Sequence, residues 1–130
     1  MEFEISVDFE LRRRSFLHAF GNMTSPRPPR EGRDIPVDRE GFVNAQPEPG
    51  QKAKGASTFG NVALAPLTGH YHRIPRDTRM PPGLAVIADG ANTHHTIFPT
   101  QRMLFLTFSD RFLGLPWKYG GTKPKPPGKK

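Results

Sequence analysis

The amino-acid sequence predicts an α+β domain built from short strands, many loops and one late helix. Fifteen prolines and thirteen glycines among 130 residues argue against a helical bundle, because proline stops helices. Phe supplies ten of the thirteen aromatic residues, which is enough for a small core. The strand patterns precede the helical pattern instead of alternating with it, and this order disfavours a doubly wound parallel sheet.

The first half of the chain predicts strands separated by long loops. Residues 3–9 alternate apolar and polar side chains, which is typical of a strand with one buried face. Residues 15–20 either extend that strand or form a short helix. Residues 21–36 are rich in Pro and Gly and therefore predict a loop, as do residues 44–56. A short strand is predicted between the two loops, at residues 41–43.

The second half predicts three further strands, at residues 71–75, 84–88 and 94–98. Residues 84–88 are the clearest of these, because turn sequences stand on both sides of them. Residues 57–67 contain apolar side chains without a clean period. Several small antiparallel sheets forming a cleft would accommodate these strands.

A helix is predicted over residues 101–113. Four apolar residues at helical spacing support it: Leu104, Phe108, Phe112 and Leu115. Thr100 is the predicted N-cap and Gly114 the predicted residue after the helix. The run from Leu104 to Phe108 is also compatible with a strand, and this is the alternative interpretation.

Charge divides the chain into a body, residues 1–117, and a basic tail, residues 118–130. The tail holds five lysines and no acid, whereas the body carries a net charge of only +2 out of the total of +7. We expect the tail to be disordered, since it has three prolines and no periodicity. Nucleic-acid binding is therefore not expected of the body, although the tail could contribute to it.

The sequence predicts neither a signal peptide nor a membrane span. Its first ten residues contain four acids and no base, unlike the start of a signal peptide. No stretch approaches the ~20 apolar residues that cross a bilayer. The chain also lacks cysteine, which excludes disulfides, thiolate metal sites and a cysteine nucleophile.

Three short stretches carry side chains suited to chemistry. Arg12, Arg13 and Arg14 form either a solvated basic patch or a phosphate-binding group, since the guanidinium fork matches a pyrophosphate. Residues 55–60 place two hydroxyls beside an aromatic ring. This stretch either forms a simple turn whose hydroxyls bond the local backbone, or binds a ligand that carries a polar ring with an amide group. Residues 93–99 contain two adjacent histidines.

The histidines leave two interpretations open. His94 and His95 should point to opposite faces of a strand, so both cannot bind one metal ion. His70 and His72 share a face and could form a three-histidine metal site with a later histidine. We favour hydrogen-bonding or acid–base roles in a polar pocket over a metal site, because no carboxylate stands nearby as a supporting partner.

Several motifs in order resemble the type VI secretion exported effector two family. The most similar pieces are the string Pro-Pro-Gly-Leu-Ala-Val at 81–86 and the string from Thr93 to Pro99. Residues 55–59, residues 38–43 and residues 11–16 also resemble the family, and together the similarity covers about residues 9–113. The family consists of small cytotoxic proteins whose fold resembles the catalytic domain of ADP-ribosyltransferases.

This resemblance implies a toxin that uses NAD. Arg13 would hold the NAD phosphate or ribose, with Arg12 and Arg14 as one-residue alternatives. Ser57 would brace that site beside Thr58, Phe59 would lie near the nicotinamide, and His94 with Thr96 would face them from another strand. The resemblance further implies a cognate immunity protein, a secretion-apparatus component, and delivery from the producer's cytoplasm to that of a target cell.

Two other function classes stay open at this point. One is a metal-independent ribonuclease toxin with His72 and His94 as acid and base. The other is a non-enzymatic binding module that engages acidic partners through the basic tail. The late glutamate of most ADP-ribosyltransferases has no counterpart after Phe59, so either His94 or an aspartate takes over its role, or transfer does not occur.

Overall fold

The computed structural model describes residues 16–126, which form a six-stranded sheet, a two-stranded sheet and an α-helix. The strands are β1 Phe16–Gly21, β2 Phe42–Val43, β3 Ala56–Phe59, β4 Gly69–Pro75, β5 Leu84–Ala88, β6 His94–Pro99, β7 Met103–Leu104 and β8 Lys118–Lys123. The helix α1 spans Phe105–Leu113, and a 3-10 turn spans Val62–Leu64. The α+β class with antiparallel sheets is confirmed, whereas the strand predicted at residues 3–9 lies outside the described residues.

The six-stranded sheet has the order β5-β6-β3-β1-β4-β8, and every neighbouring pair is antiparallel. Its registers align Arg73 with His18, His18 with Phe59, and Phe59 with His94. Because directly opposed residues share a face, these side chains lie on one side of the sheet, here called the front face. The opposite side is called the core face.

The core face is packed against α1 and the loops. Leu17 and Ala19 of β1 alternate with front-face residues and are almost fully buried. The apolar cluster continues into the helix through Phe108 and Phe112, which are 0% and 1% exposed. Burying each phenylalanine ring contributes roughly 1.5–3 kcal/mol, so the helix adds substantially to the stability of the described fold.

The helix begins four residues later than the sequence predicts. Met103 and Leu104 pair with β2 in the two-stranded sheet, and the amide of Phe105 donates to the carbonyl of Gly41. Leu104 is therefore exposed instead of joining the buried helical face, and Thr100 does not cap the helix. A long-range strand pairing has overridden the local helical spacing.

Residues 118–123, within the predicted tail, form the edge strand β8. This corrects the expected start of the disordered segment, and residues 127–130 lie outside the described residues. The strand pairs with β4, and Tyr119 packs against the ring of His72 at 5.5 Å between centroids. Its main-chain pairing needs no apolar alternation, which explains why the sequence pattern does not reveal it.

Candidate active site

The site is built where β3 and β6 run side by side on the front face. Ser57 lies directly opposite Thr96 in the register, and Phe59 lies opposite His94. The close approach of β3 to β6 depends on Gly55, since a Cβ at this position would overlap the carbonyl oxygen of Ile97 in β6. The Gly-x-Ser stretch thus permits close strand contact just before the exposed Ser57.

His94 joins the two strands through its imidazole. Its Nε2 lies 3.0 Å from the hydroxyl oxygen of Ser57, a hydrogen-bond distance. The ring of Phe59 meets the imidazole edge-to-face, with centroids 5.2 Å apart. Phe59 is almost fully buried, so it supports His94 instead of offering its own ring face to a ligand.

Asp89 completes this arrangement from the end of β5. Its Oδ1 lies 2.8 Å from Nδ1 of His94, and its Oδ2 accepts the hydroxyl of Thr96 at 2.6 Å. Thr96, Asp89, His94 and Ser57 therefore form one continuous series of hydrogen bonds. The Asp89 side chain is 15% exposed and that of His94 is 24% exposed, so only the Ser57 end opens to solvent.

The hairpin between β5 and β6 holds Asp89 against His94. Asn92 and Thr93 have φ values of +59° and +62°, a region that β-branched residues such as Thr rarely adopt. The Thr93 carbonyl accepts the amide of Gly60, and its hydroxyl accepts the amide of Asn61. These bonds fix a strained turn beside the site, as is typical of functional loops.

His18 lies further along the front face and is largely buried. Burial lowers the pKa of this imidazole; the hydrogen bond to the carbonyl of Phe59 opposes that shift, and the charge of Arg73 adds to it. His18 packs edge-to-face against Tyr71. His18 lies directly opposite Phe59 in the neighbouring strand and hydrogen-bonds to its carbonyl oxygen, so it supports β3 structurally.

The structure brings together Ser57, Phe59, His94 and Thr96 and separates Thr58 from them. Thr58 is fully buried on the core face, and its hydroxyl donates to the carbonyl of His95. Its predicted role in cofactor binding is therefore corrected. The predicted group of Arg12, Arg13 and Arg14 lies outside the described residues.

His72 and His94 lie on opposite faces of the sheet, which corrects the acid–base pair of the ribonuclease interpretation. His72 is opposite Ala19 on the core face, is 3% exposed, and its Nε2 lies 2.8 Å from the carbonyl oxygen of Asn22. His70 shares its face with His72, as predicted, and contacts Tyr119. Among residues 16–126, no cluster of three or more His, Cys, Asp or Glu side chains is placed to hold a metal ion.

Arg27 is a residue near Ser57 that sequence reasoning missed. Both border a small cavity of about 20 Å³, room for little more than a water molecule. Asp34 borders it too and is paired with Arg30 at 3.1 Å. This cavity is too small for a larger ligand, which would reach the exposed Ser57 hydroxyl from solvent.

Three larger cavities have no lining residue in this cluster, and the smallest of them, about 320 Å³, borders Phe20 and Arg27. One of about 700 Å³ lies between residues 62–68 and residues 122–126. Another of about 400 Å³ adjoins Phe16 and Arg73 at the other end of β1. Within residues 16–126, no helix is long and apolar enough to cross a membrane.

The sequence matches the model of the Tse2 ADP-ribosyltransferase toxin family over residues 9–120. The chain belongs to this family. The match includes the whole hydrogen-bonded series, from Ser57 to Thr96, and the first three residues of β8. Comparison with curated proteins gives no match, and comparison with solved structures gives none either.

Membership of the Tse2 family confirms the resemblance predicted from the motifs at residues 81–86 and 93–99. It also makes the chain an ADP-ribosyltransferase-like toxin by family. The expectation that no carboxylate stands near the histidines is wrong, because Asp89 lies within hydrogen-bond distance of His94. The sequence does indicate this contact, because the short turn between the strands predicted at 84–88 and 94–98 is typical of a hairpin. A hairpin brings the last residues of one strand beside the first residues of the next.

Proposed function

We propose that the chain is a cytotoxic effector that consumes NAD in the cytosol of a target cell, by ADP-ribosyl transfer or by NAD cleavage. Membership of the family supports the reaction class, and the 3.0 Å contact between the exposed Ser57 hydroxyl and His94 supports the choice of these two residues. An imidazole that accepts from an exposed hydroxyl is the donor–acceptor pair expected of a reactive polar site.

The described residues offer a hydroxyl and a cationic side chain that could contact a nucleotide and its phosphates. Ser57 and Arg27 are both exposed and both border the small cavity. Arg13, with Arg12 and Arg14, remains the proposed phosphate-binding group from the other part of the chain. When bound, NAD would supply the glycosidic bond to nicotinamide, while these residues would hold and orient it.

We further propose a cognate immunity protein and a secretion-apparatus component as partners. A producer must survive its own toxin, and an effector must reach another cell. The front face is the surface through which an immunity protein would act most directly, because covering Ser57 excludes substrate.

The proposal is tested by measuring NAD consumption by the purified full chain and toxicity on expression in a susceptible cell. Ser57→Ala and His94→Ala should each abolish both, with melting temperatures close to that of the unaltered protein. Arg13→Ala should weaken NAD binding by about one to two decades, since a charge-assisted hydrogen bond contributes roughly 1.5–3 kcal/mol. Asp77→Asn is the matched control, because Asp77 is exposed and distant in sequence from the site. Full toxicity in folded Ser57→Ala and His94→Ala would overturn this site.

A further inference from the structure

The series Ser57–His94–Asp89 has the geometry of an activated serine. The distance of 3.0 Å from hydroxyl oxygen to Nε2 lies within proton-transfer reach, and so does the 2.8 Å from Nδ1 to carboxylate. A nucleophile beside a base that is itself oriented by a third group is the general signature of covalent catalysis.

The hydrogen bonds assign the protons along the series. The carboxylate of Asp89 can only accept when ionised, and Thr96 donates to one of its oxygens. His94 must then donate from Nδ1 to the other oxygen. In the neutral imidazole this leaves a lone pair on Nε2, 3.0 Å from the hydroxyl oxygen of Ser57.

The exposure pattern favours a reactive role over a structural one. Ser57 is exposed, whereas the Asp89 carboxylate and Thr96 are mostly shielded behind His94. Both oxygens of Asp89 already have partners, so Asp89 acts through His94 instead of meeting a ligand directly. The chain therefore presents a hydroxyl, with its base behind it, to whatever binds on the front face.

We propose that Ser57 is a nucleophile that takes the ADP-ribosyl group from NAD, with His94 as general base and Asp89 as its positioning residue. This proposal rests on the proposed NAD-dependent function. As His94 takes the hydroxyl proton, the Ser57 oxygen forms a bond to the anomeric carbon of the ribose. The bond from that carbon to the nicotinamide nitrogen breaks, and its electron pair leaves with neutral nicotinamide.

The first experiment asks whether Ser57 carries the group. The full chain is incubated with NAD, quenched in acid at early and late times, and mapped by peptide mass spectrometry. We expect one ADP-ribosyl group on Ser57, absent from Ser57→Ala. In His94→Ala and Asp89→Asn the group should form at least about 100-fold more slowly, the usual scale for losing general-base catalysis. Asp77→Asn should match the unaltered protein.

A second experiment tests the nucleophile without NAD. Diisopropyl fluorophosphate forms a bond from phosphorus to an activated hydroxyl oxygen and releases fluoride, and peptide mass spectrometry identifies the labelled residue. Thr122 provides an internal control, because its exposed hydroxyl also contacts a histidine, at 3.2 Å from Nδ1 of His70, with Tyr119 as the other neighbour. We expect labelling of Ser57 and none of Thr122.

A third measurement separates positioning from structural support by Asp89. The proton on Nδ1 of His94, held against a carboxylate, should give a downfield proton resonance. That signal should persist in Ser57→Ala and disappear in Asp89→Asn, with both variants keeping their melting temperatures. Loss of the signal together with unfolding of Asp89→Asn would overturn a positioning role.

The two proposals fail in different ways. If NAD is consumed while Ser57 carries no group at any time and the fluorophosphate does not react, the nucleophile is overturned and the NAD function stands. If NAD is not consumed, the NAD function and the ribosyl acceptor are both overturned. Fluorophosphate labelling then still supports the activated serine, and its absence overturns that as well.

Discussion

Gly90 leaves the space in which the His94 imidazole rests. A Cβ at Gly90 would lie 3.2 Å from Cβ of His94 and 3.4 Å from its Nδ1. The first distance is tighter than most real contacts and the second is at the limit of ordinary contact, so the His94 side chain would have to shift slightly. A displacement of a few tenths of an ångström is enough to disturb a hydrogen bond of 2.8 Å to Asp89.

We therefore predict that Gly90→Ala impairs the site without unfolding the protein. The rate of NAD consumption should fall by about tenfold or more, as expected when a base is misplaced. The melting temperature should change little, because Gly90 is exposed. Ala91→Ser, at the next exposed loop position, should leave both quantities unchanged. An equal rate in Gly90→Ala would show that His94 tolerates the added methyl.

His18 gives the fold a dependence on pH. Its folded-state pKa is lowered, chiefly by burial, so between that value and the ordinary histidine value the unfolded chain binds a proton that the folded chain does not. The contribution of His18 to the free energy of unfolding is therefore at its full value above the pKa of an unfolded histidine, about 6.5. It falls as the pH drops below that value.

The corresponding prediction compares melting temperatures at about pH 7.5 and about pH 5.5, on either side of the ordinary histidine value. The unaltered protein should melt earlier at the lower pH. His18→Gln should show a smaller difference, although it loses packing against Tyr71 and melts earlier at both values. If the difference is as large in the variant, other groups control the acid response.

At the scale of elements, the contact between β3 and β6 places the site and leaves no room for a side chain at Gly55. Gly55→Ala should lower stability by roughly 1–3 kcal/mol, the usual cost of overpacking, because the added Cβ overlaps main chain that cannot rotate away. Denaturant unfolding measures this. Lys54→Ala, at the exposed preceding residue, is the control and should stay within ~0.5 kcal/mol.

The edge strand β8 gives a second prediction at this scale. Deleting residues 118–130 should lower the melting temperature, because it removes the pairing with β4 and the cover that Tyr119 gives His72. Deleting only residues 124–130 should leave it nearly unchanged, since β8 ends at Lys123. Identical melting temperatures for the two deletions would show that β8 contributes nothing to the fold.

Elements with a strong local signal are the ones that the sequence predicts well. Residues 84–88 agree residue for residue with β5, because turn sequences bound an apolar run on both sides. The start of α1 and the strand β8 depend on partners distant in the chain, so their own residues carry little sign of them. For the same reason, motif reasoning found Ser57 and His94 but not the bonds that Asp89 makes.

At the scale of the whole molecule, the sheet separates two tasks. Its core face joins α1 through rings such as Phe108, whereas the front face carries Ser57 and His94. The polar groups of the site contribute little to the apolar cluster. Stability and reactivity should therefore respond to different substitutions.

We predict that Phe108→Ala and Ser57→Ala both abolish toxicity for different reasons. Phe108→Ala should lose roughly 3–5 kcal/mol, the usual cost of truncating a buried phenylalanine, and should be poorly folded in the cell. Ser57→Ala should melt at the same temperature as the unaltered protein. Measuring melting temperature beside toxicity distinguishes them, and early melting of Ser57→Ala would contradict the separation of the two faces.

The separation of the two faces has a consequence for how toxic activity can be lost during evolution. A single codon change at Ser57 yields a product that still folds, persists in the cell and presents nearly the same outer surface. Such an inert copy would compete with the harmful one for any protein that recognises that surface. Toxicity would then be lost more readily by substitution of front-face residues than by substitutions that unfold the protein. Non-toxic descendants should therefore keep the residues of the core face.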